Sequence, residues 1–244
     1  RDQHTQETNS ISFTVVPDTD GKLSFWEFFS GHECMAKAFR DGGWRTFTVD
    51  NHHHEEGVPS FNTDICSMTE SDIARLCTEN GGPPDAIHFG PPCTARSKQH
   101  RKLTHYDGDQ PVSQEAKRAD QCVAMCFKII RWLLPRNPNL VWSVENPMYM
   151  RFVNLPAVRP YYACGCFSKV HYSDYDAQFS EKYTVIIHNN EKWDPAIPDR
   201  TNGRKGKKAA PWGSLSNRMR KAYPHALCVE YAKAVGQTVD RKSV

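Results

Sequence analysis

No stretch of these 244 residues approaches the roughly 18 consecutive apolar positions of a membrane-crossing helix. The opening residues, RDQHTQETNS, lack the basic-plus-apolar pattern of a secretory signal. Net charge is only +3, too small for a whole-protein field to select a partner. Internal repeats and low-complexity tracts are missing. So is the glycine-rich turn of a dinucleotide site: the first candidate turn, FFSGHEC, has one glycine, which argues against NAD or FAD. The nine cysteines are odd in number and irregularly spaced. Their tightest cluster, Cys164-Gly-Cys166 with His171 nearby, is closer than a zinc pair and has no second pair to complete it. It is read as structural, no metal is expected, and the thiols are expected to be reduced in an intracellular compartment.

What is present fits a folded domain. Hydrophobic residues make up 39% and charged residues 24%, too apolar for a disordered chain. Residues 1–21 are polar and aperiodic and read as a flexible tail; 22–244 read as one domain. Two local basic runs stand out, 96–102 (RSKQHRK) and 200–208 (RTNGRKGKK). Each is either a solvated loop or a phosphate-contacting surface.

Hydrophobic patterning predicts alternating strands and helices. LSFWEFF (23–29) is an apolar run stopped at Ser30-Gly31, and ECMAKAFRDGG (33–43) has helical spacing with a glycine stop. WRTFTVD (44–50) and SFNTDI (60–65) read as the next strands. TESDIARLCTEN (69–80) reads as a helix, with Thr69 as N-cap and Asp72 completing an approximate capping box. DAIHFG (85–90) is a strand that runs into Pro91-Pro92-Cys93. The longest helix covers 112–134, capped by Ser113, with an apolar stripe through Cys122, Met125, Ile129 and Leu133. LVWSVENP (140–147) is a fifth strand ending near Glu145. KVHYSDY (169–175) and KYTVIIHN (182–189) are expected to pair as a hairpin, and a final helix over 224–235 is expected to stop at Gly236. This order implies a parallel sheet with helices on both faces, whose ligands collect at the C-terminal strand ends. Ser30-Gly31, Asp50, Asp64, Cys93 and Glu145 all fall there.

Cys93 follows two prolines that fix the backbone and precedes Thr94, Arg96, Ser97 and Lys98. Nearby cations favour the nucleophilic thiolate, although many free cysteines are simply buried and inert. Glu145 ends an apolar strand, where partial burial lets a carboxyl hold or deliver a proton; the plainer alternative is a strand-end carboxylate capping a turn. Asp50 lies about 20 residues after the Ser-Gly turn, as ribose-binding acids do. Asp64 with Ile65 offers an edge and a face to an adenine.

These motifs in this order, FFSGHECMAKAFRDGGW, VDN, TDI, FGPPCT, VENP and VGQTV, resemble the DNA (cytosine-5) methyltransferases, especially the compact phage and prophage type, over roughly residues 23–239. The resemblance implies a Rossmann-like α/β methyltransferase fold with a mostly parallel seven-stranded sheet and S-adenosylmethionine as cofactor, leaving S-adenosylhomocysteine. By it, Cys93 is the nucleophile at cytosine C6 and Glu145 contacts N3 and the exocyclic amine. Lys182 and Thr184 join the catalytic group, and Gln178 lies near the flipped base. Phe29, Ser30, Gly31, Asp50, Asn51, Asp64, Ile65, Pro92, Gln237 and Thr238 surround the cofactor. Arg96, Ser97, Lys98, Arg101, Lys102, Arg204, Lys205, Lys207 and Lys208 meet DNA. Glu33 and Gln237 stand where the family often carries glycine and asparagine.

The basic region 190–215 is short for a target-recognition domain. It supplies phosphate contacts but few base-edge contacts, so another domain or protein is expected to add specificity. An RNA-directed version of the same chemistry and a silent, binding-only homologue remain the alternatives. The expected location is the nucleus in a eukaryote, otherwise the cytoplasm or nucleoid.

Overall fold

The computed structural model describes residues 21–51, 58–96, 105–179, 182–195 and 222–242. The expected tail and most of the basic region 190–215 lie outside these residues. Five strands run parallel: β1 (Ser24–Phe28), β2 (Arg45–Asp50), β3 (Phe61–Asn62), β4 (Ala86–Phe89) and β7 (Val141–Pro147). Between them lie α1 (Cys34–Asp41), α2 (Glu70–Glu79) and α3 (Gln114–Leu133), with a small hairpin of β5 (Tyr106–Asp107) and β6 (Gln110–Pro111) before α3. Two short helices, α4 (Met150–Val153) and α5 (Arg159–Ala163), lead to β8 (Phe167–His171), α6 (Tyr172–Tyr175), β9 (Tyr183–His188) and α7 (His225–Lys242). The sheet order is β3-β2-β1-β4-β7-β9-β8, with β9 antiparallel to both neighbours. This is a Rossmann-like sheet with a reversed strand near one edge.

Local signals explain the elements. The Thr69 side chain accepts from the Asp72 backbone while the Asp72 carboxylate accepts from the Thr69 amide, a complete capping box at the start of α2. Ser113 caps α3 by accepting from the Ala116 amide at 3.0 Å. β1, β4 and β7 are buried along their whole length, as central parallel strands covered on both faces must be.

Side-chain alternation then sorts those strands onto two faces. Trp26, Phe28, Ile87, Phe89, Trp142 and Val144 pack with α2 and α3. Phe25, Ala86 and Val141 pack with α1 and α7, where the Phe25 and Phe39 rings stack at 3.7 Å between centroids. The positions in register with each other on this second face are polar. Thr48 pairs with Glu27, Glu27 with His88, His88 with Ser143, and Ser143 with His188. All five are buried, and together they form one polar row across the sheet.

The structure departs from the sequence expectations at four places. The third strand shrinks to Phe61–Asn62, because Asp64 accepts from the Cys66 amide and starts a 3-10 turn at Ile65–Ser67. The 169–175 segment breaks after His171 into α6, although the expected antiparallel pairing with the next strand is present. Gly236 does not end the last helix, which continues to Lys242, packed through Val235 and Val239. Cys66 and Cys122 form a disulfide, their Cα atoms 5.4 Å apart, where reduced thiols are expected. An odd cysteine count with irregular spacing does not reveal which side chains folding brings together. No described helix is long and apolar enough to cross a membrane.

Glu27 is the costly member of the polar row. Its Oε2 accepts from the Ala36 amide at 2.8 Å in the first turn of α1, yet burial pushes its pKa from 4.5 up to about 8. The unfolded chain therefore ionises first, so this group's contribution is full below about pH 4.5 and is lost as pH rises through about 8. The loss is on the order of 3–5 kcal/mol. Glu27→Gln keeps an acceptor for Ala36 and cannot ionise. Urea unfolding from pH 5 to 8.5 should show the variant gaining steadily on the wild type; a constant difference would contradict the buried, protonated state.

Candidate active site

The candidate site lies at the C-terminal rim of the parallel strands. β4 ends at Phe89, and the chain turns through Gly90, buried Pro91 and exposed Pro92 to half-buried Cys93, then enters a 3-10 turn at Thr94–Arg96. The Asn146 Nδ2 donates to the Pro91 carbonyl at 3.0 Å, tying this loop to the end of the neighbouring β7. Thus the strand that delivers Cys93 and the strand that delivers Glu145 are adjacent and bonded at the rim.

Glu145 is 4% exposed and surrounded by donors. Its Oε1 accepts from the Tyr172 hydroxyl at 3.0 Å and from the Lys182 Nζ at 3.1 Å, and its Oε2 lies 3.5 Å from the Tyr223 hydroxyl. Burial pulls the Lys182 amine down, but the Glu145 carboxylate and then Cys93 outweigh it and leave the amine above its ordinary value. The Tyr172 ring lies under the same ammonium, 4.7 Å from its centroid. Burial, then the Glu145 charge, pushes both phenols well above the usual tyrosine range, so they stay protonated and able to donate. Thr184 is buried and stands opposite Pro147 in the β7–β9 pairing; Gln178 is exposed, its amide bonded to Asp176.

A second group occupies the rim beside β1 and β2. Phe29, Gly31 and Glu33 all have positive φ (58°, 50° and 54°), which makes a sharp turn from β1 into α1. Glu33 is held in this conformation by its amide bond to the Ser30 carbonyl at 2.7 Å and by its carboxylate, which accepts from Thr48 and Arg40. The Gly31 amide donates to Asp50 Oδ2 at 2.9 Å, joining the turn to the end of β2 beside exposed Asn51. A Cβ on Gly31 would meet nothing within 4 Å, and Ser30 Oγ is buried with no hydrogen-bond partner among the described residues. Asp64 caps the 3-10 turn and pairs with Arg118 of α3, next to buried Ile65.

Two expected residues do not reach this rim. Thr238 donates to Asn190 Oδ1 at 2.6 Å, and Asn190 follows the end of β9 that pairs with the beginning of β7, at the opposite edge of the sheet. Gln237 lies beside it in the last turns of α7. The VGQTV motif, expected to follow the end of the last helix, lies within it. Arg96 lies in the 3-10 turn. Ser97, Lys98, Arg101, Lys102, Arg204, Lys205, Lys207 and Lys208 lie outside the described residues. Among the described residues no group of three His, Cys, Asp or Glu side chains is placed to hold a metal.

Tyr172, Tyr223, His88, Ser143 and Glu27 were not found by motif. A signal for three of them was present: FWEF, AIHF and VWSV each carry one polar residue inside an apolar run, and the register aligns Glu27, His88 and Ser143. Tyr172 and Tyr223 have no comparable signal, because each arrives from a distant connection.

No family model matches the sequence, and no curated protein matches it. Solved structures with a similar fold include a prophage-encoded Escherichia coli protein described as a DNA modification methyltransferase, at 16% identity and TM-score 0.42. That match covers 68% of this chain and 46% of the other. The S. pombe Dnmt2 methyltransferase has 14% identity and TM-score 0.41 over 68% and 49% of the two chains. The Entamoeba histolytica methyltransferase EhMeth has 14% identity and TM-score 0.44 over 68% and 52%. The chain spans about half the length of these structures. The likeness is one of fold.

The Glu145–Lys182 pair predicts the behaviour of its partner. Glu145→Gln removes the largest influence raising the Lys182 amine and leaves burial to dominate, so that amine should titrate at lower pH than in the wild type. The uncompensated buried cation should also cost on the order of 3 kcal/mol of stability. Lysine-labelled NMR titration checks the first expectation, and an unmoved Lys182 resonance would refute the coupling.

Proposed function

We propose that this chain is an S-adenosylmethionine-dependent methyltransferase that modifies C5 of cytosine in DNA through a transient bond from Cys93. The observation that carries this reading is that the loop bearing Cys93 is bonded through Asn146 to the strand bearing Glu145, whose carboxylate is paired with the Lys182 ammonium. A thiol and a hydrogen-bonded carboxylate delivered by adjoining strands to one rim suit nucleophilic addition to a ring that must take up charge. A binding module has no use for that pair.

The chain's own residues account for the steps. Lys182 favours the thiolate form of Cys93. The thiolate adds to C6 of the pyrimidine, and Glu145, held through Oε1 by Tyr172 and Lys182, turns Oε2 towards N3 and the exocyclic amine. Addition makes C5 nucleophilic. After C5 is methylated, loss of its proton sends the electron pair back through the ring and expels the thiolate.

The turn beside β1 fits the methyl donor. The open side of Gly31 admits a ligand against the backbone, the buried Ser30 hydroxyl lacks a protein partner among the described residues, and Asp50 stands at the end of β2 where ribose hydroxyls bind in such sheets. Phe29, Ser30, Gly31, Asp50, Asn51, Asp64, Ile65 and Pro92 would hold S-adenosylmethionine, which supplies an electrophilic methyl group when bound. A cytosine inside a duplex must leave the stack to reach Cys93, and the basic residues from Arg96 to Lys102 follow directly on that cysteine. Arg204, Lys205, Lys207 and Lys208 are further candidates for phosphate contacts. Target selection falls to another domain or a partner protein.

The deciding experiment uses duplex DNA carrying 5-fluorocytosine, where fluorine replaces the proton that must leave. Wild-type protein with S-adenosylmethionine should form a covalent complex that survives denaturing electrophoresis, and Cys93→Ala should not. Methyl transfer to ordinary DNA should fall by at least about 10³-fold in Cys93→Ala. A wild-type protein that methylates tRNA but not DNA would move the substrate to RNA; no transfer and no adduct on either would end the enzymatic reading.

A further inference from the structure

Beneath Glu145 the polar row becomes a connected chain. The Tyr231 hydroxyl bonds Ser143, Ser143 Oγ lies 2.7 Å from His88 Nδ1, and His88 Nε2 lies 3.3 Å from the Tyr223 hydroxyl. That hydroxyl in turn lies 3.5 Å from Glu145 Oε2, the oxygen that Tyr172 and Lys182 leave to the base. The His88 and Tyr223 rings meet edge-on at 5.5 Å between centroids.

Only one arrangement of protons lets the chain reach the carboxylate. Burial pushes His88 down to about 3, so the imidazole is neutral and carries a single N–H. With that proton on Nδ1, the bare Nε2 draws the Tyr223 proton to itself and Oε2 receives none. With it on Nε2, His88 donates to the Tyr223 oxygen and Tyr223 donates to Glu145, while Ser143 donates to Nδ1. Only the second arrangement delivers a proton to Oε2.

Gly90 adds an independent observation. Its φ lies outside the left-handed region, so its conformation does not call for glycine. Space does: a Cβ there would stand 2.5 Å from the Tyr223 hydroxyl oxygen. The missing side chain, three residues before Cys93, is the room through which Tyr223 reaches the carboxylate.

Resting on the function proposed above, we infer that Tyr223 and His88 are positioning residues that orient Glu145 Oε2 for the flipped base, and that Gly90 admits the tyrosine hydroxyl they use. The titratable groups around this carboxylate are Tyr172 after β8, Lys182 before β9 and Tyr223 before α7; Cys93 and Tyr149 act on Lys182, and Glu27, Cys228 and Cys34 act on Tyr223. Tyr223 is itself bonded by a further side chain, His88.

The test is steady-state methyl transfer to DNA as a function of pH, on variants first shown to be folded by circular dichroism and thermal unfolding. Tyr223→Phe should lower kcat about tenfold, change KM for DNA less than about twofold and displace the pH–rate profile. His88→Gln, which carries an N–H near the Nε2 position, should recover most of the rate that His88→Asn loses. Gly90→Ala should lose about as much as Tyr223→Phe, and the double variant no more than either, because phenylalanine removes the atom that the new Cβ strikes. A Tyr223→Phe enzyme with wild-type kcat and pH profile, or additive losses in the double variant, would overturn the positioning role while leaving the function standing. An inactive wild type would overturn both.

Discussion

Burial of a polar row inside an otherwise apolar sheet is the constraint on which this structure turns. Thr48, Glu27, His88, Ser143 and His188 stand side by side under α1 and α7, and buried polar groups of this kind persist only when they are paired. Each has its partner: Thr48 bonds Glu33 and Ser60, Glu27 caps α1, His88 bonds Ser143 and Tyr223, and His188 bonds Ser168. The partners come from both helices' surroundings and from the edge strands. The row therefore fixes how the covering layer sits, more sharply than hydrocarbon packing does.

Glu145 continues the same logic two residues beyond Ser143 on the same face of β7, at the point where the sheet meets its rim. Its three donors arrive from connections that are far apart in sequence, Tyr172, Lys182 and Tyr223. The site is thus the exposed end of a buried network rather than a set of groups placed on loops. This matters for a reaction in which a carboxylate must keep one oxygen fixed and present the other, since preorganised donors act without rearranging during the reaction.

Much of this was legible in the residues, and the exceptions have physical causes. The alternation of apolar runs with capped amphipathic helices predicted the sheet and both helical layers, because burial of central parallel strands and the capping of Thr69 and Ser113 are local matters. The adjacency of the Cys93 and Glu145 strands followed from their order along the chain. Gly236 misled: glycine ends a helix only where the following residues gain nothing by continuing, and here Val235 and Val239 bury against the core on either side of it. Tyr172 and Tyr223 were invisible, since no spacing rule connects a phenol to a carboxylate 27 or 78 positions away. The left-handed Glu33 shows the reverse case, a residue whose conformation suits glycine but whose side chain is held by Thr48 and Arg40.

α7 runs from Tyr223, just ahead of its first turn at one rim, to Thr238, bonded to Asn190 at the other. It is also made after everything it covers. During synthesis the parallel strands can pair as they emerge, but the polar row lacks its cover, and Glu145 its third donor, until this helix leaves the ribosome and docks. A nascent chain would therefore hold five hydrophilic side chains facing water on a half-built sheet until α7 is made. Any chain that stops short of α7 would leave the Glu145 carboxylate with two of its three donors.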